Sequence, residues 1–254
     1  MLILCNWKLN GKKNILKKFF VELNNLCIKF KIKSNISISP PIIYLSKLYE
    51  ILKDIKSKII LTSQNVDVHI QGAFTGETSV YMLKEFNVKY VIVGHSERRI
   101  HHFESDEIVS SKFDIVKKNG LIPILCIGEH FQESFDKSKI FIKNQIDSIF
   151  IKIGKKAFRN SIIAYEPVWA IGSGISADPN YVNDIHFLIK SYICKKDNFF
   201  KNNNIVVQYG GSISKNNVYN FISKKYIDGI LIGGASLEIK TLFPIIKIIE
   251  KFSK

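Results

Sequence analysis

Apolar residues along this chain of 254 residues fall into two alternating kinds of segment. Short runs rich in Ile, Val, Leu and Tyr recur about every thirty residues, at 2–6, 36–39, 59–63, 90–93, 122–126, 162–166, 205–209 and 229–232. Several are apolar at nearly every position, as parallel strands buried on both faces are. Longer stretches of helical period separate them, among them 14–30, 106–119, 181–195 and 237–250. Eight strand-then-helix units in about 250 residues predict an α/β fold, a (β/α)8 barrel of eight parallel strands ringed by helices. No linker or shift of composition divides the chain, so residues 1–254 are expected to form one domain. An open doubly wound sheet is the alternative, but the turn after 2–6 lacks the dinucleotide glycine pattern.

Composition narrows the picture. A hydrophobic content of 46% is enough for a full core. No apolar run approaches a membrane span, and the apolar start, 2–5, is too short for a signal-peptide core. A cytoplasmic protein without membrane contact is therefore expected. The four cysteines, Cys5, Cys27, Cys126 and Cys194, show no metal-ligand spacing and read as buried thiols; no metal is expected. The net charge of +15 raises a polyanion as partner. The lysines are dispersed from Lys12 to Lys254, with no RNA-binding motif and no single basic block, so solvated helix faces are the favoured reading. No specific nucleic acid is expected, and the charge should speed capture of a small anion.

Candidate chemistry gathers where each strand ends, since a barrel builds its site at that face. Strand one offers Asn6 and Lys8, strand four His95 and Glu97, and strand six Glu166. Strands seven and eight end in glycine turns, Tyr209–Ser212 and Gly233–Ser236, whose backbone amides can approach a phosphate. Either glycine pair alone reads as a tight turn; both together, in the last two units, point to phosphate. His95 alone could be structural, and Glu97 with Arg98 and Arg99 a surface ion-pair cluster. A carboxylate at the buried end of a strand is harder to dismiss. Proton abstraction beside a carbonyl needs a base, an electrophile and a water-excluding lid. Glu166, His95 with Lys8, and the segment 167–177 could supply all three.

The motifs "CNWKLNG", "QNVDVHIQGAFTGETS", "VIVGHSERR", "PILCIGE", "IAYEPVWAIGSG", "VQYGGSIS" and "GILIGGASL" follow one another along nearly the whole chain. In that order the sequence resembles the triosephosphate isomerase family, whose fold is the TIM barrel. The resemblance implies interconversion of dihydroxyacetone phosphate and glyceraldehyde 3-phosphate through an enediolate, with no cofactor. The base, the neutral histidine and the closing loop are established features of that family. Carried onto this chain, Glu166 is the base, His95 donates to the enediolate oxygens, Lys8 offsets their charge, and Asn6 and Glu97 support them. Phosphate falls to Gly172, Ser212, Gly233 and Gly234. Pro167 and Trp169 form the first lid hinge, and Ile171 and Leu231 the apolar clamp. The closed lid is implied to rest on Tyr209 to Ala177 and Ser212 to Gly174, and the open lid partly on Glu129 near Trp169. Thr75, in the loop "GAFTGETS", implies a homodimer in which that loop enters a second subunit. Two positions depart from the family, Cys5 for a small residue and Ile175 for a lysine in the second hinge. Two alternatives to the isomerase are another phosphate-binding barrel enzyme and a polyanion-binding protein on an enzyme scaffold.

Overall fold

The computed structural model describes residues 1–132, 134–170, 176–201 and 204–252. Eight strands pair in chain order into a closed barrel, parallel throughout. They are β1 Leu2–Asn6, β2 Asn35–Ser39, β3 Ile60–Ser63, β4 Val88–Val93, β5 Ile122–Ile127, β6 Ile162–Tyr165, β7 Val206–Tyr209 and β8 Gly229–Ile232. The ring closes where β1 takes both neighbours, Cys5 lying in register with Ile38 on one side and Ile232 on the other.

The near-continuous apolar runs have the expected cause. Alternate side chains feed two different cores. Leu2, Leu4, Tyr90, Ile92, Ile124, Cys126, Ile162, Ala164 and Leu231 pack inside the barrel. Their neighbours Ile3, Cys5, Val91, Val93, Leu125, Ile127, Ile163 and Tyr165 pack outward in the larger core that the helices share. The polar positions are not random either. Ser37 and Thr62 meet hydroxyl to hydroxyl at 2.5 Å, and Gln208 donates to the Leu2 carbonyl.

The helices are α1 Lys13–Lys29, α2 Leu45–Asp54, α3 Val80–Glu85, α4 Ser96–His101, α5 Asp106–Lys118, α6 Phe135–Ile153, α7 Pro179–Lys196, α8 Val218–Ile222 and α9 Ile239–Phe252. Their starts are written locally: Ser105 caps α5 by accepting from the Ile108 amide, and Asp178 caps α7 ahead of Pro179. α7 therefore begins two residues before the expected 181. The strand expected to reach Glu166 stops at Tyr165, but the Glu166 amide still donates to the Ile127 carbonyl at 2.7 Å. The carboxylate is thus the first side chain beyond the ladder.

Two of the four cysteines depart from expectation. Cys5 and Cys126 are buried, whereas Cys27 and Cys194 are half-buried, because they sit at the margins of helices. Cys5 fills an outward core position, and burial pushes its thiol pKa far up. Among the described residues no helix is long and apolar enough to cross a membrane.

Candidate active site

A cavity of about 350 Å³ opens at the C-terminal end of the strands. Asn6 at the end of β1, Lys8 and His95 just beyond β1 and β4, and Leu231 of β8 line it. The turns after β7 and β8 complete it with Ser212, Gly233 and Gly234.

Lys8 adopts a left-handed backbone, φ 51°. Such a conformation is strained in a residue with a Cβ and needs support from its surroundings. The support is present: the Lys8 amide donates to Asn6 Oδ1 at 2.9 Å, and Gln64 Nε2 donates to the Lys8 carbonyl at 2.9 Å. The ammonium is held by Glu97 Oε1 at 2.6 Å. Partial burial works to raise the Glu97 carboxyl pKa, but the hydrogen bond from Lys8 and its ammonium charge outweigh it and hold the pKa low. Glu97 therefore stays anionic and fixes Lys8 at the cavity wall.

His95 caps α4. Its Nδ1 accepts from the Glu97 amide at 3.2 Å, which leaves the imidazole proton on Nε2. Nε2 faces Glu166 Oε1 at 3.5 Å. Glu166 is buried, with Oε2 accepting from the Ser96 amide at 3.4 Å and Oε1 lacking a hydrogen-bond partner. Its carboxylate lines a small adjoining recess of about 10 Å³ with Ser96, Cys126 and Gly128, not the large cavity. Burial, reinforced by the charge of Glu166 and a hydrogen bond to it, raises the Cys126 thiol pKa, so a neutral S–H faces the carboxylate.

The glycines divide into two kinds. A Cβ on Gly210 would lie 2.8 Å from Glu166 Cγ, one on Gly211 2.1 Å from the Tyr209 hydroxyl, and one on Gly128 2.0 Å from the Glu166 carbonyl. Those three are demanded by the protein itself. Gly234 would meet nothing within 4 Å, and Gly233 only Lys8 Cε at 3.6 Å. Open space beside two small residues and a charged ammonium is room for a ligand, not a packing constraint.

The root of the lid is anchored on Glu129. Tyr165 and Trp169 both donate to Glu129 Oε1, at 2.8 and 3.1 Å, and the Val168 amide donates to the Glu129 carbonyl. Pro167 accepts from the Ala170 amide in the short turn that follows. At the far end the Ala177 amide donates to the Tyr209 hydroxyl at 3.2 Å, and Ser212 Oγ donates to the Ala170 carbonyl. The contacts implied for the two lid states at Glu129 and at Tyr209 thus coexist here. Ile171, Gly172, Gly174 and Ile175 lie outside the described residues.

Asn6, Lys8, His95, Glu97, Glu166, Ser212, Leu231, Gly233 and Gly234 therefore gather at one end of the barrel. Thr75 does not join them: it sits in an exposed loop on the same chain. Residues not singled out from the sequence as part of the site include Ser96, Cys126, Gln64 and Gly128, whereas Gly210 and Gly211, read there as a phosphate turn, make room for Glu166 and Tyr209. Ser96 stood beside His95 in "HSER" and could have been flagged there; Cys126 and Gln64 carry no local signal.

A sequence model of the family described as triosephosphate isomerase matches residues 1–250. The triosephosphate isomerase of Blochmanniella floridana is 49% identical over 255 residues, covering 99% of this chain and 97% of its own. That of Wigglesworthia glossinidia brevipalpis is 49% identical over 256 residues, covering 100% and 98%. That of Buchnera aphidicola subsp. Schizaphis graminum is 47% identical over 253 residues, covering 99% and 98%.

Proposed function

The chain belongs to the triosephosphate isomerase family, isomerases that interconvert dihydroxyacetone phosphate and D-glyceraldehyde 3-phosphate in glycolysis, and we propose how its residues divide that reaction. The observation that carries the reading is a buried carboxylate 3.5 Å from the imidazole Nε2 of His95, which lines one cavity with the ammonium of Lys8.

Glu166 takes a proton from C1 of dihydroxyacetone phosphate. The C–H electron pair forms the C1–C2 double bond, and the carbonyl pair moves onto O2. His95 Nε2–H donates to the enediolate oxygens and Lys8 offsets their charge, both positioned before charge develops. Glu166 then returns the proton to C2, and a hydroxyl proton moves from O1 to O2 by way of His95. Asn6 and Glu97 act on Lys8, the first at its backbone and the second at its ammonium. To reach C1 the Glu166 carboxylate must leave the Ser96 amide and swing into the larger cavity. Its unpartnered Oε1 and the space that Gly210 leaves beside Cγ favour that movement. The phosphate lies on backbone amides at Ser212, Gly233 and Gly234, with Gly172 of the lid closing over it and Ile171 and Leu231 excluding water.

We also propose a cytoplasmic homodimer. Ile43, Phe74, Tyr81, Met82 and Phe103 are exposed on and beside the loops at the active-site end, an apolar surface that a second copy would cover. A coupled assay with glyceraldehyde 3-phosphate tests the catalytic scheme. Glu166→Gln should lower kcat by at least about 10³-fold with little change in KM, because the phosphate contacts remain. Turnover near wild type in a pure sample would remove Glu166 from the chemistry.

A further inference from the structure

The excess positive charge is unevenly placed, and the fold shows where. Seven segments carry the chain from a helix to the next strand: 30–34, 55–59, 86–87, 119–121, 154–161, 197–205 and 223–228. They hold ten Lys and Arg against two Asp. Both aspartates are engaged, Asp197 by Arg159 at 2.8 Å and Asp228 by Lys190 at 2.5 Å. At the active-site end, the described residues of segments 7–12, 40–44, 64–79, 94–105, 128–132, 166–170, 176–178, 210–217 and 233–238 hold five Lys and Arg against eight Asp and Glu. The molecule is polarised, with its basic end turned away from the substrate.

Helix dipoles account for part of this, since helix C-termini face the basic end and favour cations in their last turn. They do not account for lysines beyond the last turn. Lys31 and Lys56 follow α1 and α2 at φ 53° and 48°, a left-handed position where glycine is the comfortable residue. Lysine stands there against the local backbone preference.

One groove of about 710 Å³ concentrates these charges between the end of α2 and the starts of β3, β4 and β5. Lys53, Lys56, Lys58 and Lys89 line it, all exposed, and no acidic residue does. Among the described residues Lys53, Lys56 and Lys58 make no ion pair, and Lys89 rests over the Tyr90 ring. None of the exposed large hydrophobic side chains lies in the lining.

We propose that this groove is a docking site for the phosphate backbone of a nucleic acid, bound without regard to sequence. Four unpaired ammonium groups along a concave wall match a chain of phosphates, and binding of this kind is driven by counterion release. A flat bilayer could not follow lysines into a groove, and adsorption to one is strengthened by exposed apolar side chains that the lining lacks. The groove offers no exposed aromatic platform for base stacking, so the bases go unread. It lies at the end of the barrel opposite the catalytic cavity and the Thr75 loop, so docking leaves both free.

The test measures fluorescence anisotropy of a labelled 20-nucleotide RNA of mixed sequence from 50 to 200 mM salt. A quadruple variant, Lys53→Gln, Lys56→Gln, Lys58→Gln and Lys89→Gln, is compared with a control that removes the same charge from α1 and α6: Lys13→Gln, Lys17→Gln, Lys18→Gln and Lys139→Gln. The groove variant should bind at least tenfold more weakly and show a log–log salt slope shallower by about 2 to 3, at roughly 0.7 per phosphate contact. The control should lose less than about twofold, and both should keep kcat/KM within about twofold, which also establishes that both are folded. Equal losses in the two variants would overturn the site and leave only net charge. Absence of wild-type binding at 50 mM salt, or capture by phosphatidylserine vesicles without binding to RNA, would overturn the proposal itself.

Discussion

At the scale of the residue, burial decides what each polar group can do. Glu97 remains an anion because the Lys8 ammonium lies beside it, and Cys126 remains a thiol because it is buried against Glu166. His186 shows the same effect away from the site. It is fully buried, its Nδ1 lies 3.3 Å from the Tyr226 carbonyl, Nε2 is unpartnered, and its ring meets Tyr165 edge to face. Burial pulls its pKa down to about 3, so the native ring is neutral. The unfolded chain takes up the proton near pH 6.5, well before the native state can. His186 therefore costs nothing above that pH, and stability is lost as pH falls from 6.5 towards 3, by about 1.4 kcal/mol per unit. His186→Leu should be weaker than wild type at pH 7 through lost packing and its hydrogen bond. Between pH 7 and pH 5, however, it should lose about 2 kcal/mol less stability than wild type. Urea midpoints at the two pH values measure the difference; parallel losses would show that His186 titrates freely.

At the scale of the element, the turns after β7 and β8 look alike in sequence and differ in purpose. Gly210 and Gly211 make space for Glu166 and Tyr209, whereas the space beside Gly234 is open. Gly234→Ala should therefore change stability by no more than about 0.5 kcal/mol, as at an unconstrained position. It should raise KM for glyceraldehyde 3-phosphate by crowding the bound phosphate. Gly128→Ala is the contrast: a Cβ 2.0 Å from the Glu166 carbonyl forces the β5 and β6 ends apart, and the protein should lose cooperative unfolding. An unchanged KM in a folded Gly234→Ala protein would move the phosphate away from the β8 turn. The lid makes a second element-scale case. Tyr209, stacked on Phe221 and hydrogen-bonded to Ala177, is the one described anchor of the second hinge. Ile175→Lys should alter kcat by less than about tenfold, worth roughly 1.4 kcal/mol on the barrier, since the anchors of the lid at Glu129 and Tyr209 are other residues. Tyr209→Phe should cost more, because it deletes the hinge hydrogen bond. Steady-state kinetics showing the reverse order would place control of the lid elsewhere.

At the scale of the whole molecule, two surfaces remain to be used. The basic end faces away from the substrate, so the net charge, expected from the sequence to speed capture of a small anion, gives the mouth of the cavity little steering. At the other end the loop bearing Thr75 is held in shape by Phe74 stacked on His69 at 3.5 Å and by the Asp67 amide donating to Thr78. A loop so ordered and yet exposed is ready for a partner. Thr75→Arg should yield a monomer by sedimentation, with helical content retained. Its kcat should fall on the order of 10²-fold, because Asn6 and Lys8 would lose the loop that, in the proposed dimer, a second copy places beside them. A dimer of normal activity would show that Thr75 lies outside the contact.

Much of this protein was written in its sequence because the relevant physics is local. Two-sided burial makes parallel strands apolar throughout, so all eight could be read off with ends within about two residues. Once strands alternate with helices, chain order alone places Lys8, His95, Glu166 and the glycine turns at one end. What no local rule could supply were distances across the barrel. The withdrawal of Glu166 onto Ser96, the thiol of Cys126 against it and the support of Lys8 by Gln64 join residues far apart in the chain. The two kinds of glycine and the polarity of the charge were hidden for the same reason. A glycine pair spells the same letters whether or not another side chain occupies its space, and lysines dispersed in sequence become a patch only when the barrel closes.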